Sequence, residues 1–397
     1  MAGRSDTAER LASLPDRFRG DSSVGGRWRL TIGRCKPRDV VIEDGVCNVE
    51  AAAGAPLAEI ATDPQTWAAI DDGRSSGIEA FAEQRLWVRG SIQRALEFEP
   101  LFRRPAAGGL SYEVKDVPVG RHKVNALFAG DATAEPLLLL HGLGATKSSW
   151  LTVVPDLARH HRVIAVDLPG FGYSSKPRAR YDAPFFARAM FRFLDATETR
   201  PVFVAGNSMG GRIAMEMAMM EPRRVRAIGC LCPAGAFSRR PGLNLVRLLR
   251  PELAVGGLFL PRGRVKAGLR QLFADPGCLD DRWYEAAIDE FFTMWRSPRF
   301  RMAVAAAARR IYLDEPGGEN GFWTRLERAT TPLFCVYGRH DVLISSSYER
   351  LLAKALPGAH VEVWEDCGHV PQIEFPRRTA ERLLGFFGAS GRAAQAV

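Results

Sequence analysis

The sequence has no long hydrophobic run. Its longest apolar stretches, such as Leu137–Leu140 and Leu253–Leu260, fall well short of the roughly 20 residues that a membrane-spanning helix needs. The first 20 residues carry seven charged side chains and no apolar core, which argues against a secretory signal peptide. We therefore expect a cytoplasmic protein.

Cysteine is also scarce. Seven cysteines in 397 residues are too few, and odd in number, for a disulfide framework. Cys230 and Cys232 form a C-x-C pair in an apolar run, but no further ligands cluster nearby, so we expect buried thiols and no metal. Glycine-rich dinucleotide motifs, P-loops and H-E-x-x-H are missing, so no cofactor is expected.

Acidic residues are outnumbered by basic ones, 45 to 54, for a net charge of +9. This balance suggests nucleic acid as a partner, but no groove-reading helix motif or aromatic RNA-binding signature accompanies it, so none is expected. The segment Arg239–Arg270 holds eight basic residues and one acid, Glu252, with leucines between them. We predict that it either makes transient contact with an anionic membrane surface or forms a solvated face.

Residues 1–108 indicate a small α+β domain, and the Pro- and Gly-containing stretch 103–109 indicates a linker. Asp44-Gly45 is typical of a hairpin turn, and Asp63-Pro64 of the start of a helix. The predicted elements are strands at Arg27–Gly33 and within Asp39–Ala52, a helix at Asp63–Asp71, and strands at Gly77–Phe81 and Arg85–Gly90.

This first domain resembles a sterol-carrier-protein type 2 domain. The resemblance is carried by Asp63-Pro-Gln-Thr-Trp67, Gly77-Ile-Glu-Ala-Phe81, Leu86-Trp-Val-Arg-Gly90 and Leu101-Phe102. It implies a lipid-binding module with an apolar tunnel. The alternative is a packing or dimerisation module without a ligand.

From residue 109 to 397, continuous apolar strands alternate with helical patterns, which predicts an α/β domain with a mainly parallel sheet. A long stretch at about 234–329 separates two of these strands and is rich in helical patterns and aromatic residues. We interpret it as a helical cap over an apolar pocket.

The strongest motif is Gly206-Asn-Ser-Met-Gly210, which fits G-x-S-x-G between an apolar strand and a helix. Small residues at positions 206 and 210 let the strand and the helix approach, so that the serine sits at a sharp turn. Ser208 is therefore the candidate nucleophile.

A serine needs a base, and the base needs an orienting acid. His369, in Cys367-Gly-His369, follows the predicted strand His360–Trp364 and is the candidate base. Asp341 follows the predicted strand Leu333–Tyr337 and is the candidate acid. Asp366 is too close to His369 in sequence for this role, and His340 is interpreted as a polar loop residue.

The loop His141-Gly-Leu-Gly144 follows the predicted strand Leu137–Leu140. Attack by a serine on a carbonyl group creates an oxyanion, and backbone N–H groups in such a loop can stabilise it. We expect the oxyanion hole to be formed by the backbone amides of Leu143 and Met209. A similar loop, Asp167–Gly172, is interpreted as scaffold.

The order Ser208, Asp341, His369 is that of the α/β-hydrolase superfamily, which residues 110–397 resemble. Within it, the loops around His141, Ser208 and His369, with Leu231-Cys-Pro-Ala-Gly235 and Glu374-Phe-Pro-Arg-Arg-Thr379, are most similar to monoacylglycerol-lipase-type serine hydrolases. This resemblance implies a cofactor-independent carboxylic ester hydrolase acting on hydrophobic acyl esters. The alternatives are a thioesterase, a carbon–carbon-bond hydrolase of the same fold, and a lipid-binding protein with a vestigial triad.

Overall fold

The computed structural model of the chain describes residues 2–22, 24–102, 107–199, 201–236, 250 and 260–395. The chain forms two compact units. The first comprises Met1–Val114 and Leu279–Thr293, and the second comprises Lys115–Cys278 and Met294–Val397. The first unit therefore takes one segment from the region that the sequence analysis assigns to the cap.

A five-stranded sheet, in the order β3-β2-β1-β4-β5, organises the first unit. Its strands are β1 (Gly26–Ile32), β2 (Arg38–Glu43), β3 (Val46–Ala51), β4 (Ala58–Thr62) and β5 (Leu86–Gly90). Trp28, Leu30 and Ile32 alternate along β1 and are buried, so one face of this strand points into the core. The helices are Ala2–Ala12, Leu14–Arg17, Pro64–Asp71, Gly77–Ala82 and Ile92–Phe98, followed by the 3₁₀ turn Glu99–Leu101.

Two local predictions in this unit are confirmed. The turn between β2 and β3 is Asp44-Gly45, with φ of 51° and 78°, and a two-residue hairpin of this kind needs positive φ at both positions. The helix Pro64–Asp71 begins after Asp63, whose side chain accepts a 2.9 Å hydrogen bond from the Thr66 amide. Both signals are local, which explains why the sequence reveals them.

The predicted strand at Gly77–Phe81 is wrong, because these residues lie in the helix Gly77–Ala82. Ser76 and Glu79 form a capping box: Ser76 Oγ accepts from the Glu79 amide at 3.2 Å, and Glu79 Oε2 accepts from the Ser76 amide at 2.8 Å. This reciprocal pair satisfies two backbone donors at the helix start and outweighs the short apolar alternation.

The helix Asp281–Trp295 supplies the segment that joins the first unit from the middle of the chain. Its Asp289 Oδ2 accepts from Arg89 Nε at 2.9 Å and from the Gly90 amide at 3.0 Å. Glu290 Oε2 accepts from the Ile92 amide at 3.1 Å. These bonds tie the helix to the end of β5 and the start of the helix that follows it.

An eight-stranded sheet, in the order β13-β12-β11-β10-β8-β9-β7-β6, organises the second unit. Its strands are β6 (Tyr112–Val119), β7 (His122–Ala129), β8 (Pro136–Leu140), β9 (Arg162–Val166), β10 (Val202–Asn207), β11 (Val225–Leu231), β12 (Leu333–Gly338) and β13 (His360–Trp364). Neighbouring strands are parallel from β13 through β12, β11, β10 and β8 to β9. Strand β7 pairs antiparallel with β9. Every residue of β10 and β12 is buried, as expected of strands covered on both faces.

Helices connect these strands, as the sequence predicts for an α/β-hydrolase fold. Outside the cap they are Val154–Ala158, Ala183–Ala196, Met209–Met220, Tyr348–Ala355, Pro371–Glu374 and Pro376–Gln395, with 3₁₀ turns at Lys147–Trp150 and Pro222–Arg224. Between β11 and β12 the described residues form the helices Arg262–Arg270, Asp281–Trp295, Pro298–Leu313 and Phe322–Leu326. The predicted fold class is confirmed.

Residues 237–249 and 251–259 lie outside the described residues, and with them most of the basic stretch Arg239–Arg270. In the described part of the chain, no helix combines the length and the apolar character needed to cross a bilayer.

Candidate active site

Ser208 occupies the junction between β10 and the helix Met209–Met220. Its backbone has φ 55° and ψ −115°, a strained conformation for a residue with a side chain. Added Cβ atoms would overlap the Gly210 carbonyl at position 206 and the Leu140 carbonyl at position 210. The two glycines of the motif are therefore required by close packing of strand, helix and β8.

The predicted base and acid lie together. Asp341 follows β12, His369 follows β13, and His369 Nδ1 is 2.7 Å from Asp341 Oδ2. The other oxygen, Oδ1, accepts from the amides of Leu343 at 2.8 Å and Ile344 at 2.9 Å. The Asp341 side chain is fully buried. An ionised carboxylate only accepts, so Nδ1 carries the proton and Nε2 keeps its lone pair.

The backbone of His369 is also held on both sides. Its amide donates to the Leu272 carbonyl at 2.6 Å, and its carbonyl accepts from Asn207 Nδ2 at 3.0 Å. Asn207 Nδ2 donates to the Leu231 carbonyl as well, at 3.0 Å. Asn207 directly precedes Ser208. Its buried side-chain amide therefore joins the turn at Ser208, here called the serine turn, to residues 365–370, here called the histidine loop.

The side-chain bond between Ser208 and His369 is not formed in this structure. Within the described residues, no hydrogen bond reaches Ser208 Oγ or His369 Nε2. Ser208 is half-buried, so its hydroxyl is accessible.

His141 orients the loop that was predicted to supply Leu143 to the oxyanion hole. Its Nδ1 lies 2.7 Å from the Gly142 carbonyl oxygen, and its Nε2 accepts from the Leu168 amide at 3.0 Å. Because C=O and N–H point in opposite directions across a trans peptide, the bond to the Gly142 carbonyl turns the Leu143 N–H away from His141. Burial lowers the pKa of His141 and favours the neutral ring.

The two amides predicted for the oxyanion hole remain available. Neither the Leu143 nor the Met209 amide donates a hydrogen bond to another described residue. A Cβ added to Gly142 would lie 3.4 Å from Ser208 Cβ, so this loop passes directly beside the serine.

Lys147, which follows the loop His141–Gly144 in the sequence, forms a buried ion pair with Asp167. Lys147 Nζ is 3.0 Å from Asp167 Oδ2, and the Lys147 amide donates to Oδ1 at 2.8 Å. Burial alone would raise the pKa of Asp167, but the Lys147 ammonium and further donors outweigh it and hold that pKa below its usual value. Lys147 was missed as the partner of Asp167, and the interpretation of Asp167–Gly172 as scaffold stays a prediction.

Cys232 lies against the acid and the base. The Cys232 sulfur, one Asp341 carboxylate oxygen and one His369 ring nitrogen all lie within 4.8 Å of one another. Burial, and then the Asp341 charge, raise the pKa of the Cys232 thiol, which donates to the Gly368 carbonyl at 3.5 Å. Within this cluster, Asp341 Oδ2 and His369 Nδ1 are already bonded to each other at 2.7 Å.

Comparisons with known proteins show the family of the chain. Residues 137–382, well over half of the chain, match the family model described as the alpha/beta hydrolase family. The chain belongs to this family.

Several relatives of this alpha/beta hydrolase have different substrates in their names. It is 33% identical over 273 residues to a 2-hydroxymuconate semialdehyde hydrolase of Pseudomonas sp. (strain CF600), covering 65% of this chain and 88% of that protein. It is 25% identical over 292 residues to monoacylglycerol lipase abhd6-B of Xenopus laevis, covering 70% and 83% respectively.

A solved structure of a bacterial membrane phospholipase A is also similar to the hydrolase. It has a TM-score of 0.56 and 29% sequence identity, and the match covers 70% of this chain and 86% of that one. The family model shows the family, and the names of these similar proteins refer to different reactions.

Asn207, His141 and Leu272 were missed as contributors to the site. Asn207 and His141 stand inside motifs that the sequence analysis singled out, so their positions carried a usable signal. Leu272 acts through its backbone carbonyl and carries no such signal.

Proposed function

We propose that the protein is a serine hydrolase that cleaves carboxylic esters of hydrophobic acids through an acyl-enzyme. The observation that carries this proposal is the bonded pair Asp341–His369, whose loop is tied by Asn207 directly beside Ser208. A serine on a strained strand–helix turn, next to an oriented imidazole, supports nucleophilic catalysis.

In the proposed reaction, Ser208 Oγ attacks the ester carbonyl while His369 Nε2 takes the hydroxyl proton. Asp341 stabilises the resulting imidazolium, and the amides of Leu143 and Met209 donate to the oxyanion. The ester C–O bond then breaks, His369 gives its proton to the leaving alcohol, and the acyl group stays on Ser208. Water, deprotonated by His369, repeats the sequence and releases the acid.

A hydrophobic substrate is supported by the aromatic composition of the predicted cap at about 234–329. Two of the similar proteins carry names that refer to lipid esters, a monoacylglycerol lipase and a phospholipase A. We infer that the substrate is a small ester with an apolar acyl chain.

A second candidate is hydrolysis of a carbon–carbon bond in a ring-cleavage product. It is favoured by the 33% identity to a 2-hydroxymuconate semialdehyde hydrolase. Hydrolases of this kind usually carry a longer glycine run after the first histidine, and Ala145-Thr-Lys147 departs from that pattern. A thioesterase would use the same serine and base on a different leaving group.

These candidates are separated by parallel assays with wild-type and Ser208→Ala proteins. The substrates are p-nitrophenyl esters from acetate to palmitate, a long-chain acyl-CoA and a dienoate ring-cleavage product. The ester proposal predicts serine-dependent turnover of the p-nitrophenyl esters, with a preferred chain length. Turnover of the dienoate alone would favour the second candidate, and no turnover of any substrate would favour a lipid-binding protein.

For residues 1–108 we propose a lipid-binding module that presents or senses the hydrophobic substrate. Deleting this module is a poor test, because the deletion would also remove the bonding partners of Asp289 and Glu290. A better test is binding of a fluorescent fatty acid to the intact chain after Ser208 has been blocked covalently. Loss of all binding on blocking would contradict a separate lipid site.

We also propose that Arg239–Arg270 makes transient contact with anionic lipid. Its charge supports this, with eight basic residues and one acid. Vesicles containing anionic lipid should retain the protein at low salt, and failure to do so would rule the contact out.

A further inference from the structure

Glu374 has a buried carboxylate that is satisfied by backbone amides. Its Oε2 accepts from the Gly368 amide at 2.8 Å. Its Oε1 accepts from the amides of Ala274 at 2.7 Å and Asp275 at 3.0 Å. Among the described residues, no lysine or arginine pairs with it, so these three N–H dipoles stabilise the negative charge.

The three amides come from two segments that lie against each other. Gly368 directly precedes His369, whose own amide donates to Leu272 in the cap. A Cβ added to Gly368 would overlap the Leu272 carbonyl and lie 2.8 Å from the Ala274 amide nitrogen. The histidine loop and cap residues 272–275 are therefore in close backbone contact, and the Glu374 carboxylate bridges them.

We propose that Glu374 is a positioning residue for His369, an inference that rests on the proposed function. Asp341 fixes the imidazole at Nδ1 and Asn207 fixes the His369 carbonyl. Glu374 fixes the peptide on the other side, because it holds Gly368 and the cap backbone that receives the His369 amide. Removing it frees the histidine backbone to move, and Nε2 moves with it.

The bridge requires a carboxylate. Two carboxylate oxygens serve donors on both sides, whereas a glutamine offers one oxygen and one NH₂ group. In Glu374→Gln, the NH₂ group faces a backbone N–H on one side, so one half of the bridge is lost without a change in side-chain size.

The test compares Glu374→Gln with Glu365→Gln in the full chain. Glu365 lies in the loop between β13 and the helix Pro371–Glu374, is exposed, and pairs with Arg339. Its substitution therefore removes the same charge without touching the bridge. We expect Glu374→Gln to lower kcat by about 10- to 100-fold, as misplaced catalytic groups do, with little change in KM. The loss should be equal for acetate and palmitate esters, because the base is affected and the acyl pocket is not.

A direct readout is the downfield proton resonance of the Nδ1–H bond between His369 and Asp341. We expect a sharp signal in wild type and Glu365→Gln and a broadened or shifted signal in Glu374→Gln. A folded Glu374→Gln protein with wild-type kcat and an unchanged resonance would overturn the proposal. An increase in KM at constant kcat would also overturn it.

If Glu374→Gln does not fold, hydrogen exchange on the wild-type chain decides. The amides of Gly368, Ala274 and Asp275 share one acceptor and should be protected to a similar degree. Rapid exchange at Gly368 alone would overturn the bridge. These outcomes are distinct from failure of the proposed function, in which wild type itself turns over no ester.

Discussion

His369 donates from Nδ1 to Asp341 across 2.7 Å, while the second oxygen of Asp341 is already occupied by the amides of Leu343 and Ile344. The carboxylate is thus used on both oxygens and cannot rotate without losing bonds. It holds the imidazole in the tautomer that leaves Nε2 able to accept a proton.

Asp341→Asn should therefore reverse this tautomer. The asparagine oxygen is retained by the two backbone amides, so its NH₂ group faces His369 and forces Nδ1 to accept. Nε2 then carries the proton and cannot act as base. We expect kcat to fall by about 10³- to 10⁴-fold with little change in KM, measured by steady-state kinetics. Asp366→Asn, at an exposed carboxylate paired with Arg378, is the control, and a loss below about threefold in Asp341→Asn would contradict the assignment.

His141→Ala should impair the oxyanion hole without touching the base. The change removes the partner of the Gly142 carbonyl and leaves the buried Leu168 amide unsatisfied. We expect kcat to fall by about 10²-fold and the free energy of unfolding to fall by about 1–3 kcal/mol. His340→Ala, at an exposed position in the acid loop, should change neither quantity. Wild-type kcat in His141→Ala would show that the orientation of Leu143 does not matter.

The buried imidazole of His161 should make stability depend on pH. Burial lowers its pKa below the ordinary value of 6.5, so below pH 6.5 the unfolded chain binds a proton that the native chain does not. The contribution of His161 to the free energy of unfolding is fully present above that pH. It decreases as the pH falls, by at most about 1.4 kcal/mol per pH unit for one group.

Denaturant unfolding at pH 7.5 and pH 5.5 checks this. His161→Gln should show a smaller loss between the two pH values than wild type, while exposed His160→Gln should match wild type. Equal pH dependence in all three proteins would mean that His161 contributes no linkage.

Asp289 should contribute to the stability of the first unit although it lies far along the chain. Asp289→Ala removes the acceptor of the Arg89 side chain and the Gly90 amide. We expect a loss of about 1–3 kcal/mol in the free energy of unfolding, measured by denaturant titration. Glu319→Ala, an exposed acid in the same insertion, is the matched control. A loss no larger than the control's would mean that these bonds add nothing to stability.

Features set by neighbouring residues were predictable from the sequence. The turn at Asp44-Gly45, the cap at Asp63 and the serine turn at Ser208 each depend on residue types within a few positions. The proximity of Asp341 and His369 was also predictable, because the carboxyl ends of parallel strands meet at one edge of a sheet. Their roles as acid and base stay predictions. The strand predicted at Gly77–Phe81 was wrong because Ser76 and Glu79 form a capping box, which satisfies backbone donors at the start of a short helix.

Contacts between distant segments were not predictable in this way. Asp289 and Arg89 are 200 positions apart, and no periodicity or spacing reports that they meet. The acceptors around His369 include a backbone carbonyl at Leu272, and backbone atoms are the same in every residue. Glu374 stood in a recognised motif, but its role depends on amides that the fold brings to it.

Formation of an acyl-enzyme on Ser208 is the step on which the proposed function depends. The most direct test is to treat the protein with a fluorophosphonate or a slowly hydrolysed p-nitrophenyl ester and map the adduct by peptide mass spectrometry. We predict one covalent adduct, on Ser208, which is absent in Ser208→Ala and forms far more slowly in Asp341→Asn. An unmodified Ser208 in a folded protein, or an adduct on another residue, would rule out Ser208 as the nucleophile.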